Sequence, residues 1–232
     1  MPANEHRAIE RVDRPRGEAA RNYDRLSRTY DLVTSSEWPF IAEGLELLDA
    51  RPGERVLEIG FGTGRALVEL ARAVGERGLV CGIDISPEMV RLSRQKLAEY
   101  GLESRVNLET EDAYHLPYEA DRFDALFMSF TLELFDTPEI PHVVSECLRV
   151  TRPGGRACVV SMSKQGGPYP VRRLYEWART LAPSLLDCRP IFAAVSMEHG
   201  GFTLAESHLR RMWGIPVEFV LAKNGDTGRD YR

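Results

Sequence analysis

No apolar run in this chain approaches the roughly 20 residues that a membrane-spanning helix requires, and its first 21 residues carry charge throughout. A secretory leader needs an apolar stretch near the N-terminus, so the cytoplasm is the expected compartment. Basic charge is also scarce. The 30 Lys and Arg stand against 35 Asp and Glu, for a net charge of −5. Arginines cluster no further than the pairs Arg172-Arg173 and Arg210-Arg211, which is too little for a stripe that tracks a phosphate backbone. No nucleic-acid partner is expected. The cysteines are few: Cys81, Cys147, Cys158 and Cys188. None forms a CxxC pair or a Cys/His ligand spacing, so no metal is expected. Cys81 and Cys158 lie in apolar runs, where reduced core thiols are the expected state. Repeats and low-complexity segments are absent as well.

What is present is ordinary for a globular protein: 43% hydrophobic and 28% charged residues. The 232 residues suit a single α/β domain with small additions, large enough to bury a core without crosslinks. Residues 1–18 read as a flexible arm, 19–222 as one domain and 223–232 as a disordered polar tail. Helical spacing of apolar residues predicts helices over Ala19–Leu32 (with Tyr23, Leu26 and Tyr30 on one face) and Trp38–Leu48. Strands and helices then alternate. Strands are expected at Val56–Ile59, Leu79–Ile83, Arg105–Thr110, Phe123–Phe130 and Arg156–Met162, then as a closing pair at Phe202–Met212 and Pro216–Ala222. The intervening helices are Arg65–Val74, Pro87–Tyr100 with Ser86 as N-cap, Ile140–Thr151 and Tyr169–Leu181. Alternation with near-continuous apolar strands implies a parallel sheet covered on both faces. Ligands of such sheets bind beyond the C-terminal strand ends, at the topological switch point. Glu58, Gly60–Gly64, Asp84, Asp112 and Ser129–Thr131 all fall there.

The stretch Val56–Gly64 (VLEIGFGTG) carries most of the information. A buried strand runs into a turn with glycine at positions 60, 62 and 64. Glycine lets backbone approach a ligand closely and adopt positive φ without Cβ strain. Glu58 is an unusual residue for a buried strand end and points to a ligand with positive charge. The dinucleotide fingerprint G-x-G-x-x-G/A does not fit, because its third small position is Arg65 in one frame and Leu67 in the other.

The pattern is instead E-x-G-x-G-x-G, and here the chain resembles the class I S-adenosylmethionine-dependent methyltransferases. Further pieces follow in the family's order: Gly82-Ile83-Asp84-Ile85-Ser86, Glu111-Asp112-Ala113, Phe123-Asp124-Ala125, and Leu148 to Gly155 (LRVTRPGG). Tyr30-Asp31-Leu32 and its spacing to the glycine loop look most like the ubiquinone/menaquinone-biosynthesis methyltransferase group. The resemblance implies a Rossmann-like seven-stranded sheet in the order 3-2-1-4-5-7-6, helices on both faces, N-terminal helices (19–50) capping the site, and an acceptor-side segment at 163–201.

It also implies residue roles. Gly60, Phe61, Gly62 and Gly64 would lie against the cofactor's methionine portion, and Glu58 would hold this loop and favour the cation. Asp84, 20 residues after Gly64, matches the acid that grips ribose hydroxyls. Ile85 would pack on one adenine face and Asp112 would accept the adenine amino group with the Ala113 amide nearby; Met89 and Glu111 are further cofactor-binding candidates. Ser129 and Phe130 would face the methionine portion and the acceptor, and Tyr30 could reach the sulfonium. The general base is open. Candidates are His199 in an expected loop at Met197–Gly201, Glu133, Tyr30 and Asp136. His115 is expected at the adenine end, and His142 is expected to be exposed. Tyr169, Tyr175, Trp177, Phe192 and Met197 could line an acceptor pocket, while Asp187-Cys188-Arg189-Pro190 reads as a turn without assigned chemistry. The expected activity is methyl transfer to a small-molecule acceptor such as a quinone-like or aromatic ring carbon. Alternatives are a nicotinamide-dependent reductase and a cofactor-binding protein without turnover. A homodimer is compatible with the sequence.

Overall fold

The computed structural model describes residues 36–166 and 189–225. Within them lie helices α1 (Trp38–Leu48), α2 (Arg65–Val74), α3 (Pro87–Glu99), α4 (Ile140–Val150) and α5 (Ala193–His199). The strands are β1 (Arg55–Ile59), β2 (Leu79–Asp84), β3 (Val106–Thr110), β4 (Phe123–Ser129), β5 (Thr151–Met162), β6 (Thr203–Met212) and β7 (Ile215–Lys223). They form one seven-stranded sheet in the order β3-β2-β1-β4-β5-β7-β6. The first five strands are parallel, and β7 runs antiparallel to both β5 and β6.

Strand side chains alternate between two apolar layers. Val56, Phe127, Val160 and Phe219 face the layer filled by α1, α2 and α3. Leu57, Ile59, Leu126 and Val159 face the layer filled by α4 and α5. Near-continuous apolar strands are what burial on both faces demands. The order reverses between β1 and β4, the topological switch point beyond whose C-terminal strand ends ligands of such sheets bind. α3 starts as its sequence dictates, with the Met89 N–H donating to Ser86 Oγ at 3.2 Å and Pro87 at the first helical position.

Some elements differ from expectation. β2 extends to Asp84, and β4 stops at Ser129 because Phe130 turns to φ 49°. β5 starts at Thr151, five residues earlier than expected; the Arg152–Gly155 stretch is a bulge in its pairing with β4 rather than a separating turn. Lys223, expected in the tail, closes β7, and Asn224 Nδ2 donates to the Thr151 carbonyl at 2.6 Å. The expected loop at Met197–Gly201 is largely helix, because α5 runs to His199. α1 packs on the sheet face, with Trp38 at its N-terminal end under the Arg65 guanidinium beside the glycine loop and its C-terminal end fixed far from the strand tips. There Arg156 forks onto Glu54 at 2.8 and 2.9 Å and donates to the Leu48 carbonyl. The arm, the helices expected at Ala19–Leu32 and Tyr169–Leu181, and residues Tyr23, Tyr30, Tyr169, Tyr175 and Trp177 lie outside the described residues.

α1 sits this close because Gly44 has no side chain. A Cβ there would meet Val160 Cγ2 at 2.4 Å and the Phe127 ring at 3.1 Å. Gly44→Ala is therefore expected to destabilise the fold by about 1–3 kcal/mol, overpacking outweighing the alanine's better helix propensity. Urea unfolding measures this as a lower midpoint at unchanged slope.

Candidate functional site

The three loop glycines hold φ values of 71°, 53° and 76° at positions 60, 62 and 64. Added Cβ atoms would also collide. At Gly60 one would sit 2.3 Å from Thr131 Oγ1, and at Gly64 2.5 Å from Ser93 Oγ and 3.1 Å from Ser93 Cα. The loop is thus pressed between the turn after β4 and helix α3. The Gly60 N–H donates to the Ile83 carbonyl at 2.8 Å, and Ser93 Oγ donates to the Gly62 carbonyl at 3.0 Å. Gly64 then opens α2.

Asp84 organises the next strand tip. Its Oδ2 accepts from the Gly62 N–H and its Oδ1 from the Ser86 N–H, both at 2.9 Å. The Asp84 carbonyl accepts from the Glu111 N–H at 3.1 Å, which draws the end of β3 alongside. One residue on, Asp112 Oδ1 accepts from the Tyr114 N–H at 2.9 Å. Ile85 and Asp112 are half-buried and Glu111 is exposed. On the other side of the switch point, Ser129 ends β4 and Thr131 Oγ1 donates to its carbonyl at 2.9 Å. The structure therefore brings Gly60, Gly62, Gly64, Asp84, Ile85, Glu111, Asp112 and Ser129 to one edge. Phe61, Met89, Ala113 and Phe130 reach that edge by backbone, but their side chains are buried in the two apolar layers. Tyr30 is outside the described residues.

Glu58 lies beneath the loop, paired with Gly82 on one side and Phe127 on the other. It is 1% exposed, and its Oε2 has no hydrogen-bond partner. Burial, and then the negative charge of Asp84, push its carboxyl well above the ordinary range. An orphaned acid beside an anion is costly, and a cationic ligand relieves that cost.

A second buried acid lies past β4. Glu133 is fully buried on a short 3-10 turn, Leu132–Leu134. Its Oε1 accepts from the Met162 N–H at 3.0 Å, and its Oε2 is unpartnered. Burial raises its pKa to about 8, reinforced by Glu37 and opposed by Arg189. Burial likewise raises Glu37 to about 7. Arg189 comes from the segment read as a featureless turn, yet it is 2% exposed. It donates to the Glu133 carbonyl at 3.1 Å, to Thr137 Oγ1 at 2.8 Å and to the Phe135 carbonyl. This clamp fixes the turn that carries Glu133. Nothing in local spacing distinguishes Arg189 from a surface arginine, and Glu37 likewise gives no local signal.

The histidines sort differently from expectation. His199 ends α5 four residues before Thr203. Thr203 pairs with Lys223, which pairs with Arg156 near the start of β5. His199 is therefore exposed at the opposite end of the sheet, away from any acceptor. His142 is half-buried rather than exposed, donating from Nε2 to the Tyr114 carbonyl at 2.8 Å. It packs with Tyr114 and His115 at 4.2 and 5.4 Å between ring centroids, just beyond Asp112. Asp136 is half-buried, and its carbonyl accepts from the Glu139 N–H at 2.8 Å. Among the described residues no Cys/His/Asp/Glu group could hold a metal, and no helix is long and apolar enough to cross a membrane.

Glu133 keeps its proton in the fold up to pH about 8, whereas the unfolded chain releases it near pH 4.3. Wild-type stability should therefore fall relative to Glu133→Gln as pH rises from about 5 to 8, by up to about 1.4 kcal/mol per pH unit, then level off. Urea unfolding at several pH values checks this; a pH-independent difference contradicts it.

Residues 56–155 match a family described as a methyltransferase domain. Nocamycin O-methyltransferase of Saccharothrix syringae is 37% identical over 67% of this chain and 53% of its own length. Demethylmenaquinone methyltransferase of Bacillus cereus is 32% identical over 61% of each chain. The chain thus spans only 53% to 61% of the length of these relatives. A solved S-adenosylmethionine-dependent methyltransferase of Aquifex aeolicus has a TM-score of 0.59 at 21% identity, covering 78% of this chain and 88% of that one, a likeness of fold. The matched segment spans β1 to the start of β5, so the strands that carry the glycine loop and Asp84 are those that resemble a methyltransferase domain.

Proposed function

We propose that the chain transfers a methyl group from S-adenosylmethionine to a small-molecule acceptor, with a quinone-like or aromatic ring as the acceptor class. The observation that carries this reading is the orphaned Glu58 carboxyl beneath three Cβ-free loop positions. A buried acid with no cation beside it among the described residues suits a ligand that brings its own positive charge. When bound, that cofactor supplies an electrophilic methyl on a cationic sulfur. The chain's own residues position it. Gly60–Gly64 offer bare backbone to the methionine portion. Asp84, its carboxylate held by two backbone N–H groups, accepts the vicinal ribose hydroxyls, since each carboxylate oxygen takes more than one donor. Asp112 faces the adenine amino group, with Ile85 against the ring. In-line displacement depends mostly on such positioning.

The acceptor side is assigned to the segments past β4 and β5, which carry Ser129 and the half-buried Phe192. The ring-acceptor reading is supported by similarity to a demethylmenaquinone methyltransferase, and an oxygen acceptor by similarity to an O-methyltransferase. A nicotinamide reductase is disfavoured because Arg65 fills the third small position, its guanidinium 3.8 Å over the Trp38 ring.

Calorimetry should give S-adenosylmethionine binding that Asp84→Ala weakens by at least about tenfold, the loss of charge-assisted hydrogen bonds. Unchanged affinity in the variant, or tight binding of NADH instead, would overturn the assignment.

A further inference from the structure

The buried acid Glu58 is more than a source of negative field. We infer that Glu58 selects between the methyl donor and its demethylated product by changing protonation: it is neutral in the free protein, gives up its proton when the cationic donor binds, and regains one once the sulfur is neutral. This rests on the S-adenosylmethionine reading above.

The geometry supports it from three directions. The Glu58 carboxyl is 1% exposed, with Oε2 lacking any hydrogen-bond partner. A buried carboxylate is tolerated only with donors or a counter-ion, and otherwise holds its proton. Among the described residues the charges around it offer no counter-ion. On β2 the facing charge is Asp84, an anion held in that state by the Gly62 and Ser86 N–H groups. On α2, Arg65 is exposed and stacked on Trp38. On α3, Lys96 donates to Thr63 Oγ1 at 3.3 Å. On β4 the paired neighbour is Phe127. Burial and Asp84 both push the carboxyl toward its protonated form.

Finally, Glu58 is two residues before Gly60, under the loop assigned to the methionine portion. A sulfonium there is the missing counter-ion. Donor and product share the adenosine, the α-amino group and the carboxylate, so they differ at this acid only by the charge on sulfur.

The proton count closes. One proton leaves to solvent when the donor binds. As the methyl–sulfur bond breaks and the acceptor–methyl bond forms, the acceptor's proton is released and Glu58 takes one back. The net yield is one proton per turnover, as the overall displacement requires. An acid that is neutral when the site is empty thus matches the neutral product, and the donor gains affinity as pH rises while the product does not.

The test is isothermal calorimetry of S-adenosylmethionine and S-adenosylhomocysteine at about pH 7 in phosphate and in Tris, whose ionisation enthalpies differ. The expected result is release of close to one proton per S-adenosylmethionine and close to none per S-adenosylhomocysteine. Over the pH range in which the free carboxyl is protonated and the donor-bound one is not, the donor Kd should fall by up to about tenfold per pH unit while the product Kd stays level. Glu58→Gln, which mimics the protonated side chain, should abolish the release and weaken the donor about tenfold or more, with the product Kd within about threefold of wild type. The wild-type buffer series requires no substitution and stands if the variant misfolds. Equal proton release for both ligands, or release retained in Glu58→Gln, overturns the inference while leaving the methyltransferase reading intact. Failure of both ligands to bind overturns that reading and the inference with it.

Discussion

The hydrogen bond from the Gly62 N–H to the Asp84 carboxylate, 2.9 Å long, is the contact on which the site depends. It joins the loop after β1 to the tip of β2 across the centre of the sheet. It forms only because the loop folds through three positive-φ glycines, a conformation that side chains resist. The space on either side of the loop is already used. Thr131 stands where a Gly60 Cβ would be, and Ser93 where a Gly64 Cβ would be. The same carboxylate caps the start of the chain toward α3 through the Ser86 N–H, and the Asp84 backbone recruits β3. One residue, through its carboxylate and its carbonyl, thereby registers three strand tips around a single edge.

The acids of this edge fall into two kinds. Asp84 and Asp112 accept backbone N–H groups. Glu58 and Glu133 are buried with one oxygen unpartnered, which suits neutral acids. Glu218, buried near Ser163 and Ala193, is also held above its ordinary range by burial. The strand tips of β2 and β3 thus carry acids bonded to backbone N–H groups, and the positions beneath the loop and past β4 carry buried acids with an unpartnered oxygen. A cationic cofactor and an acceptor that loses a proton are the chemical counterparts of that division.

Much of this was legible in the sequence. Near-continuous apolar strands, Ser86 ahead of Pro87, and the glycine spacing after Glu58 are local signals, and each maps onto the feature it implies. The sheet order came with the family resemblance, not from periodicity. What was hidden depends on long-range contacts. Arg189 reads as a turn residue, yet it reaches over fifty positions back to hold the turn bearing Glu133. α5 has only seven residues and no capping side chain, so its spacing resembles a loop and His199 was misplaced. The Arg152–Gly155 stretch has turn chemistry but is absorbed as a bulge in β5, because Phe123 pairs with Thr151 and the pairing resumes at Ala125 and Arg156. Helix α1 was legible as a helix but not as a core element; only its contact through Gly44 reveals that.

The most direct test of the account is a crystal structure of this chain grown with S-adenosylmethionine. The account predicts the ribose hydroxyls on the Asp84 carboxylate, the methionine portion along Gly60–Gly64 above Glu58, and the adenine between Ile85 and Asp112. Cofactor density elsewhere on the molecule, or none at saturating concentration, would contradict it.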